Sequence, residues 1–211
     1  GYLPAPPAPA LPGAAAPVFD GFGPAAGADG AAARGAILPP LGAALAPACA
    51  GGRVLCLRDC HAGNLLWLPA RAGVARVGVL DFQDAVAGHP AYDLVSLLAD
   101  ARRTLPAGLE ERMISRHLAA TGAAPAPFRA AYAALGAQRA LRILGIFARL
   151  ARRDGRAGYL RHLPRVWQTL EAALAHPDLA PLARAVRAHV PPPTPAIARR
   201  LSAPCPPAPT P

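Results

Sequence analysis

Leu57-Arg58-Asp59-Cys60-His61-Ala62-Gly63-Asn64, followed closely by Leu80-Asp81-Phe82-Gln83-Asp84, is the stretch on which the reading of this chain turns. Short apolar runs surround both segments. Arg53–Leu57 (RVLCL) leads into the first, Asn64–Leu68 (NLLWL) leaves it, and Arg76–Leu80 (RVGVL) leads into the second. With Pro69–Ala75 supplying turn residues, the last two runs predict a β-hairpin whose ends bring Asn64 and Asp81 together. Asp59, Asn64 and Asp81 are thereby expected at neighbouring strand ends. Two carboxylates and an amide in one place suit a hard divalent cation and the phosphate oxygens it bridges. Either Asp or Asn alone is equally an ordinary turn residue; the three together, each at the end of an apolar run, are not.

Working outward, composition divides the chain. Of its 27 prolines, ten precede Ala48 and nine lie from Pro191 onward, so both ends differ from the middle. Residues 1–36 are mostly Ala, Pro and Gly without periodic apolar residues, and they are expected to be disordered. The same expectation holds for the Pro-rich tail 191–211. The foldable part is 37–190, long enough for one core.

Within it, Leu38, Leu41 and Leu45 predict a helix over Ile37–Ala50 with Pro39-Pro40 in its first turn. After Gly88-His89-Pro90 the pattern turns helical. Apolar spacing predicts helices over Tyr92–Leu105, Leu109–Ala120, Phe128–Arg153, Pro164–His176 and Leu179–Val190. Trp67 and Trp167 are expected in the core. The fold class is α+β and mostly helical: a small β-element followed by about five helices, with the polar motif at their junction.

The net charge is +10 and all 22 basic residues are Arg. Arg clusters at Arg102-Arg103, Arg149–Arg156 and Arg199-Arg200 lack interleaved aromatics and any nucleic-acid motif, so they read as solvated helix faces. A non-catalytic Arg-rich helical module that binds an acidic partner is the alternative reading. No nucleic-acid partner is expected. No signal peptide or run of bilayer length is visible, so no membrane partner is expected either. The four cysteines show no disulfide framework, which fits a reduced cytoplasmic protein. Cys56, Cys60 and His61 lack a fourth ligand at zinc spacing.

The spacing Asp59-x-x-x-x-Asn64, with Asp81-Phe82 after the next strands, is that of a kinase catalytic loop and its metal-binding partner. The segments LRDCHAGNLLWL, GVLDFQDAVAGHPAYDLVSLLADARR and YLRHLPRVWQTLEAAL resemble the aminoglycoside phosphotransferase (choline-kinase-like) family over about Leu41 to Val190. The DFQDA…YDLVSLL detail is closest to bacterial kinases that phosphorylate the anomeric hydroxyl of N-acetylmuramate and N-acetylglucosamine. The resemblance implies the C-terminal lobe of a protein-kinase-like fold, using ATP as co-substrate and Mg²⁺, with an amino sugar or aminoglycoside as acceptor. It implies Asp59 as catalytic base and Asn64 and Asp81 as Mg²⁺ ligands. Asp93 would anchor the catalytic loop, with Arg58, His61, Gln83 and Asp84 near acceptor or phosphate.

Two departures from the family pattern stand out. Leu57 occupies a place where the family usually has a supporting His. The family's N-terminal β-lobe, with a strand lysine that holds phosphates, has no counterpart; the chain contains no lysine, and 21–27 reads as low complexity rather than a glycine-rich loop. A missing N-terminal lobe is therefore expected, whether the chain is a truncated or frameshifted product, a fragment needing another chain, or a pseudoenzyme. Weak ATP binding and little turnover follow from that expectation.

Overall fold

The computed structural model describes residues 10–203. In chain order the elements are α1 (Ala10–Gly13), a π turn (Val18–Phe22), α2 (Gly23–Ala25), α3 (Gly30–Ala50), β1 (Val54–Cys56), β2 (Leu65–Trp67), β3 (Val77–Val79) and β4 (Val86–Gly88). Then come α4 (Ala91–Leu98), α5 (Leu109–Thr121), α6 (Pro125–Asp154), α7 (Leu163–Leu174), α8 (Ala180–His189) and α9 (Pro195–Ser202). The mostly helical α+β composition is as the sequence predicts.

α6 is the axis of the core. Pro125 opens it, where a missing N–H costs nothing, and Gly155 closes it at φ 66°, its N–H donating to the Leu150 carbonyl. Its buried face mixes Leu135, Leu141 and Leu144 with Ala134, Ala137 and Ala148. Such small residues let neighbouring elements come close. α7, α4, α3 and the π turn all pack on it.

The π turn and α3 correct the expectation of disorder for 1–36, as far as the described residues reach. Val18, Phe19 and Phe22 are fully buried. Asp20 pairs with Arg34 at 2.8 Å, and the Arg34 guanidinium lies 5.3 Å from the Phe19 ring centroid. α3 starts well before Ile37 because Asp29 caps it, its carboxylate accepting from the Ala31 and Ala32 N–H groups. Pro39 and Pro40 are thus inside the helix rather than in its first turn. Ile37, Leu41, Leu45 and Ala48 form the buried stripe. At the other end, 191–203 is not featureless. The Thr194 hydroxyl caps α9 by accepting from Ile197 N–H at 3.2 Å, and Ile197 and Leu201 are buried. Residues 1–9 and 204–211 of the two expected disordered segments lie outside the described residues.

The β-element is two antiparallel pairs. β2 pairs with β3 in the register Leu65↔Val79, Leu66↔Gly78 and Trp67↔Val77, which is the expected hairpin. β1 pairs with β4, Val54↔Gly88 to Cys56↔Val86. Trp67 corrects the prediction of a core residue: it is 65% exposed, with the Arg76 guanidinium 5.8 Å from its ring. Asn64–Leu68 is likewise not a buried strand. A two-stranded ribbon needs a further layer to bury its apolar side chains. Among the described residues no such layer covers it, and every large apolar side chain left exposed lies between Val54 and Phe82. Trp167 does pack against the core.

α4 is shorter than the predicted Tyr92–Leu105, because Asp100 intervenes. Its carboxylate accepts from Arg102 N–H at 2.9 Å, a local turn that competes with the helix. Arg165 of α7 then fastens the exit loop, donating to the Asp100 carbonyl (3.3 Å) and the Thr104 hydroxyl (2.8 Å). No helix among the described residues is long and apolar enough to cross a membrane.

Candidate active site

The loop between β1 and β2 is held by its backbone. Asp93, in the first turn of α4, accepts from the Leu57 N–H at 2.6 Å and the Arg58 N–H at 3.1 Å. The Arg58 carbonyl accepts from the Ser96 hydroxyl (3.3 Å) and from Arg139 of α6 (3.2 Å). Arg139 also reaches the Tyr92 hydroxyl at 3.3 Å. These clamps hold Arg58 at φ 69°, a left-handed conformation that costs a non-glycine residue about 1 kcal/mol or more. The only other non-glycine residue with positive φ among the described residues is Asp81, at 58°. Both therefore flank the same site.

Downstream of that clamp the Asp59 side chain is exposed toward a small cavity, and its carbonyl accepts from the Asn64 side-chain amide at 2.9 Å. The same amide nitrogen lies 3.5 Å from Asp81 Oδ2. Asn64 and Asp81 are brought together by the hairpin, where Leu80 N–H donates to the Asn64 carbonyl at 2.9 Å. The Asn64 amide thus links the Asp59 backbone carbonyl to the Asp81 carboxylate. Gln83 adds to it, its amide donating to Asp81 Oδ1. Asp84 is exposed, and none of the hydrogen bonds found joins it to the group. His61 Nδ1 accepts from Gly63 N–H at 3.1 Å, and its Nε2 lies 3.5 Å from Arg102.

Burial works against the thiolate form of both cysteines beside the motif. Burial, and then the Asp93 carboxylate, pushes the Cys56 thiol up to about 12, against a Gly88 N–H that lowers it. Burial followed by Asp93 raises Cys60 also, with Arg139 opposing. Among the described residues no three His, Cys, Asp or Glu side chains converge to hold a metal. Asn64 and Asp81 alone offer an amide oxygen and a carboxylate. With its NH₂ committed to the Asp59 carbonyl, Asn64 keeps Oδ1 for another partner. Two oxygen ligands are what Mg²⁺ commonly takes from protein, the rest being water and phosphate oxygens.

The cavity, about 230 Å³, is walled by Asp59 and His61 on the loop, Asp100 and Arg102 after α4, and Arg139 and Arg142 on α6. Ile143, Ile146 and Phe147 continue its lining. Ser96, Arg139 and Arg142 are site residues the sequence did not single out, and Arg102, read from the sequence as part of a solvated helix face, lies outside any helix on the wall of this cavity. The one available signal is the three-residue spacing of Arg139 and Arg142, which puts both on one helix face. A larger cavity of about 760 Å³ between α4, α5, α6 and α7 contains none of the predicted residues and shares only Ala99 with the first.

A mostly helical chain with a β-hairpin that places the Asn64 amide beside the Asp81 carboxylate has residues suited to a phosphotransferase site. Residues 23–130 match the model of the phosphotransferase enzyme family, and the chain belongs to that family. The match begins inside the stretch read from composition as low complexity, and it includes residues 59, 64, 81 and 93. Among curated proteins, the chain is 53% identical over 134 residues to an N-acetylmuramate/N-acetylglucosamine kinase of Caulobacter vibrioides, covering 63% of this chain and 37% of that protein. A Pseudomonas aeruginosa protein of the same name is 40% identical over 113 residues, covering 50% of this chain and 33% of the relative. A Neisseria meningitidis one is 36% identical over 146 residues, covering 65% and 42%. The chain thus spans well under half the length of these relatives.

Proposed function

We propose that this chain carries the acceptor and metal half of an ATP- and Mg²⁺-dependent kinase of protein-kinase-like fold, and that it acts on a hydroxyl of an amino sugar. The observation that supports this reading is the Asn64 side-chain amide set between the Asp59 backbone carbonyl and the Asp81 carboxylate. The names of the relatives support the acceptor class.

In this reading Asp59 accepts the proton of the attacking hydroxyl. An ordinary carboxylate is a weak base, so most of its contribution is orientation and local charge. Asn64 Oδ1 and the Asp81 carboxylate hold Mg²⁺. The ion supplies charge neutralisation across the phosphates of ATP, where phosphoryl transfer needs it most. Asp93 keeps the loop in its left-handed turn without touching substrate. Arg58, His61, Gln83 and Asp84 line the approach of acceptor or phosphate. The exposed apolar face of the β2–β3 hairpin and Phe82, next to Asp81, suits a nucleotide base.

The test is label transfer from γ-³²P-ATP to N-acetylmuramate or N-acetylglucosamine by the purified chain. Sugar-dependent transfer is expected. It should vanish when EDTA removes the metal and return with excess Mg²⁺. Transfer that ignores EDTA, or label that never reaches a sugar, refutes the reading.

A further inference from the structure

The charge of the small cavity is unevenly committed. Asp100 is only 9% exposed, and its carboxylate accepts from the Arg102 N–H. Arg139 is occupied with the Arg58 carbonyl and Tyr92. Two guanidinium groups remain. Arg142, half-buried on α6, makes no hydrogen bond or ion pair to any described residue. Arg102, at the exposed rim, has only His61 Nε2 at 3.5 Å for its side chain. Beside them lie Ile143 and Ile146, an apolar surface suited to a methyl group.

A guanidinium in a recess with no protein partner favours an anion, and its planar fork matches a carboxylate in a two-bond arrangement. Resting on the proposed sugar-phosphorylating role of Asp59, we infer that Arg142, with Arg102 at the rim, reads a carboxylate on the acceptor, so that the site prefers an acidic amino sugar over its neutral counterpart. N-acetylmuramate is an N-acetylglucosamine that carries a lactyl ether ending in a carboxylate. In the bound sugar, the hydroxyl to be phosphorylated faces Asp59. The lactyl carboxylate reaches Arg142, and its methyl lies toward Ile143 and Ile146. The neutral sugar fills the same ring position but leaves Arg142 facing water.

A different anion, the transferring phosphoryl group, also suits an arginine near Asp59. The two assignments separate in one experiment, in which binding of N-acetylmuramate and N-acetylglucosamine is measured by calorimetry for the wild-type chain, Arg142→Gln, Arg142→Lys and Arg102→Gln. Thermal melts identify any variant that fails to fold, and the remaining variants then decide.

The wild type should bind the acidic sugar about tenfold or more tightly than the neutral one, roughly what one charge-assisted pair supplies. That ratio should shrink as salt rises. It should collapse toward unity in Arg142→Gln, fall part-way in Arg102→Gln, and be partly kept in Arg142→Lys. An unchanged ratio in both glutamine variants overturns the inference. So does an equal loss for both sugars, whereas affinities for both that Arg142→Gln leaves unchanged in the absence of nucleotide would assign Arg142 to the phosphoryl group. If both sugars bind without discrimination in the wild type, this inference falls and the phosphotransferase reading stands. If neither sugar binds, the amino-sugar acceptor falls with it.

Discussion

With Asp59 in the proposed role, Asp59→Asn is expected to lower phosphoryl transfer by about 10²–10⁴-fold, the range that a positioned general base contributes. Asparagine keeps the size of the side chain and leaves the backbone carbonyl that receives the Asn64 amide at 2.9 Å. The loop therefore stays in place while the proton acceptor and its negative charge are lost. The Asp93 clamp on Leu57 and Arg58 is likewise untouched. The comparison is made on kcat for sugar phosphorylation, with thermal melts of both proteins alongside. A melt unchanged and a rate reduced a hundredfold or more assigns the loss to chemistry. A variant that retains the wild-type rate removes Asp59 from the reaction.

Gly145→Ala should have the largest effect on the fold. A methyl group at this position on α6 would run into the backbone of Pro17 and Val18, which cannot swing aside as a side chain can. α6 must move or the N-terminal segment must lift off. Lifting it exposes Val18, Phe19 and Phe22, all buried in the wild type. Overpacking of this kind costs about 3 kcal/mol, at the upper end of its usual range. For a chain of this size that lowers the melting temperature by roughly 6–12 °C. A melting temperature within about 2 °C of wild type, well under the roughly 6–12 °C that about 3 kcal/mol would give, means that Val18 does not lie against α6.

The same contact explains what the sequence conceals. The N-terminal segment reads as low complexity because its anchors are few, three apolar side chains set among Ala, Gly and Pro. Its packing relies on small residues of α6, and small residues carry no periodic signal. The interior prolines of α3 obscured that helix for a related reason. They look like a start, while the real start is the Asp29 cap. Trp67 is large and apolar, which favours burial on average; here it is on a ribbon that no described element covers. The α4 boundary was misplaced because apolar spacing continues to Leu105 although Asp100 has already turned the chain.

By contrast, the hairpin and the ends of α5 and α6 are set by local chemistry and could be read directly. A turn-rich segment separates β2 from β3, and Gly122 and Gly155 take the left-handed conformation just after their helices. That Asn64 and Asp81 lie side by side was legible because they close one hairpin. The arginines of the cavity were not. In a chain whose 22 cations are all Arg, nothing in the sequence separates Arg142 from the solvated ones. Only the approach of α6 to the loop does so, through Arg139.

The central claim is that Asn64 and Asp81 share one cation. A crystal structure of the chain with Mg²⁺ and a non-hydrolysable ATP analogue tests it directly. The account predicts a single Mg²⁺ with Asn64 Oδ1 and an Asp81 carboxylate oxygen each at about 2.0–2.1 Å. A nucleotide-bound Mg²⁺ that neither side chain touches would contradict it.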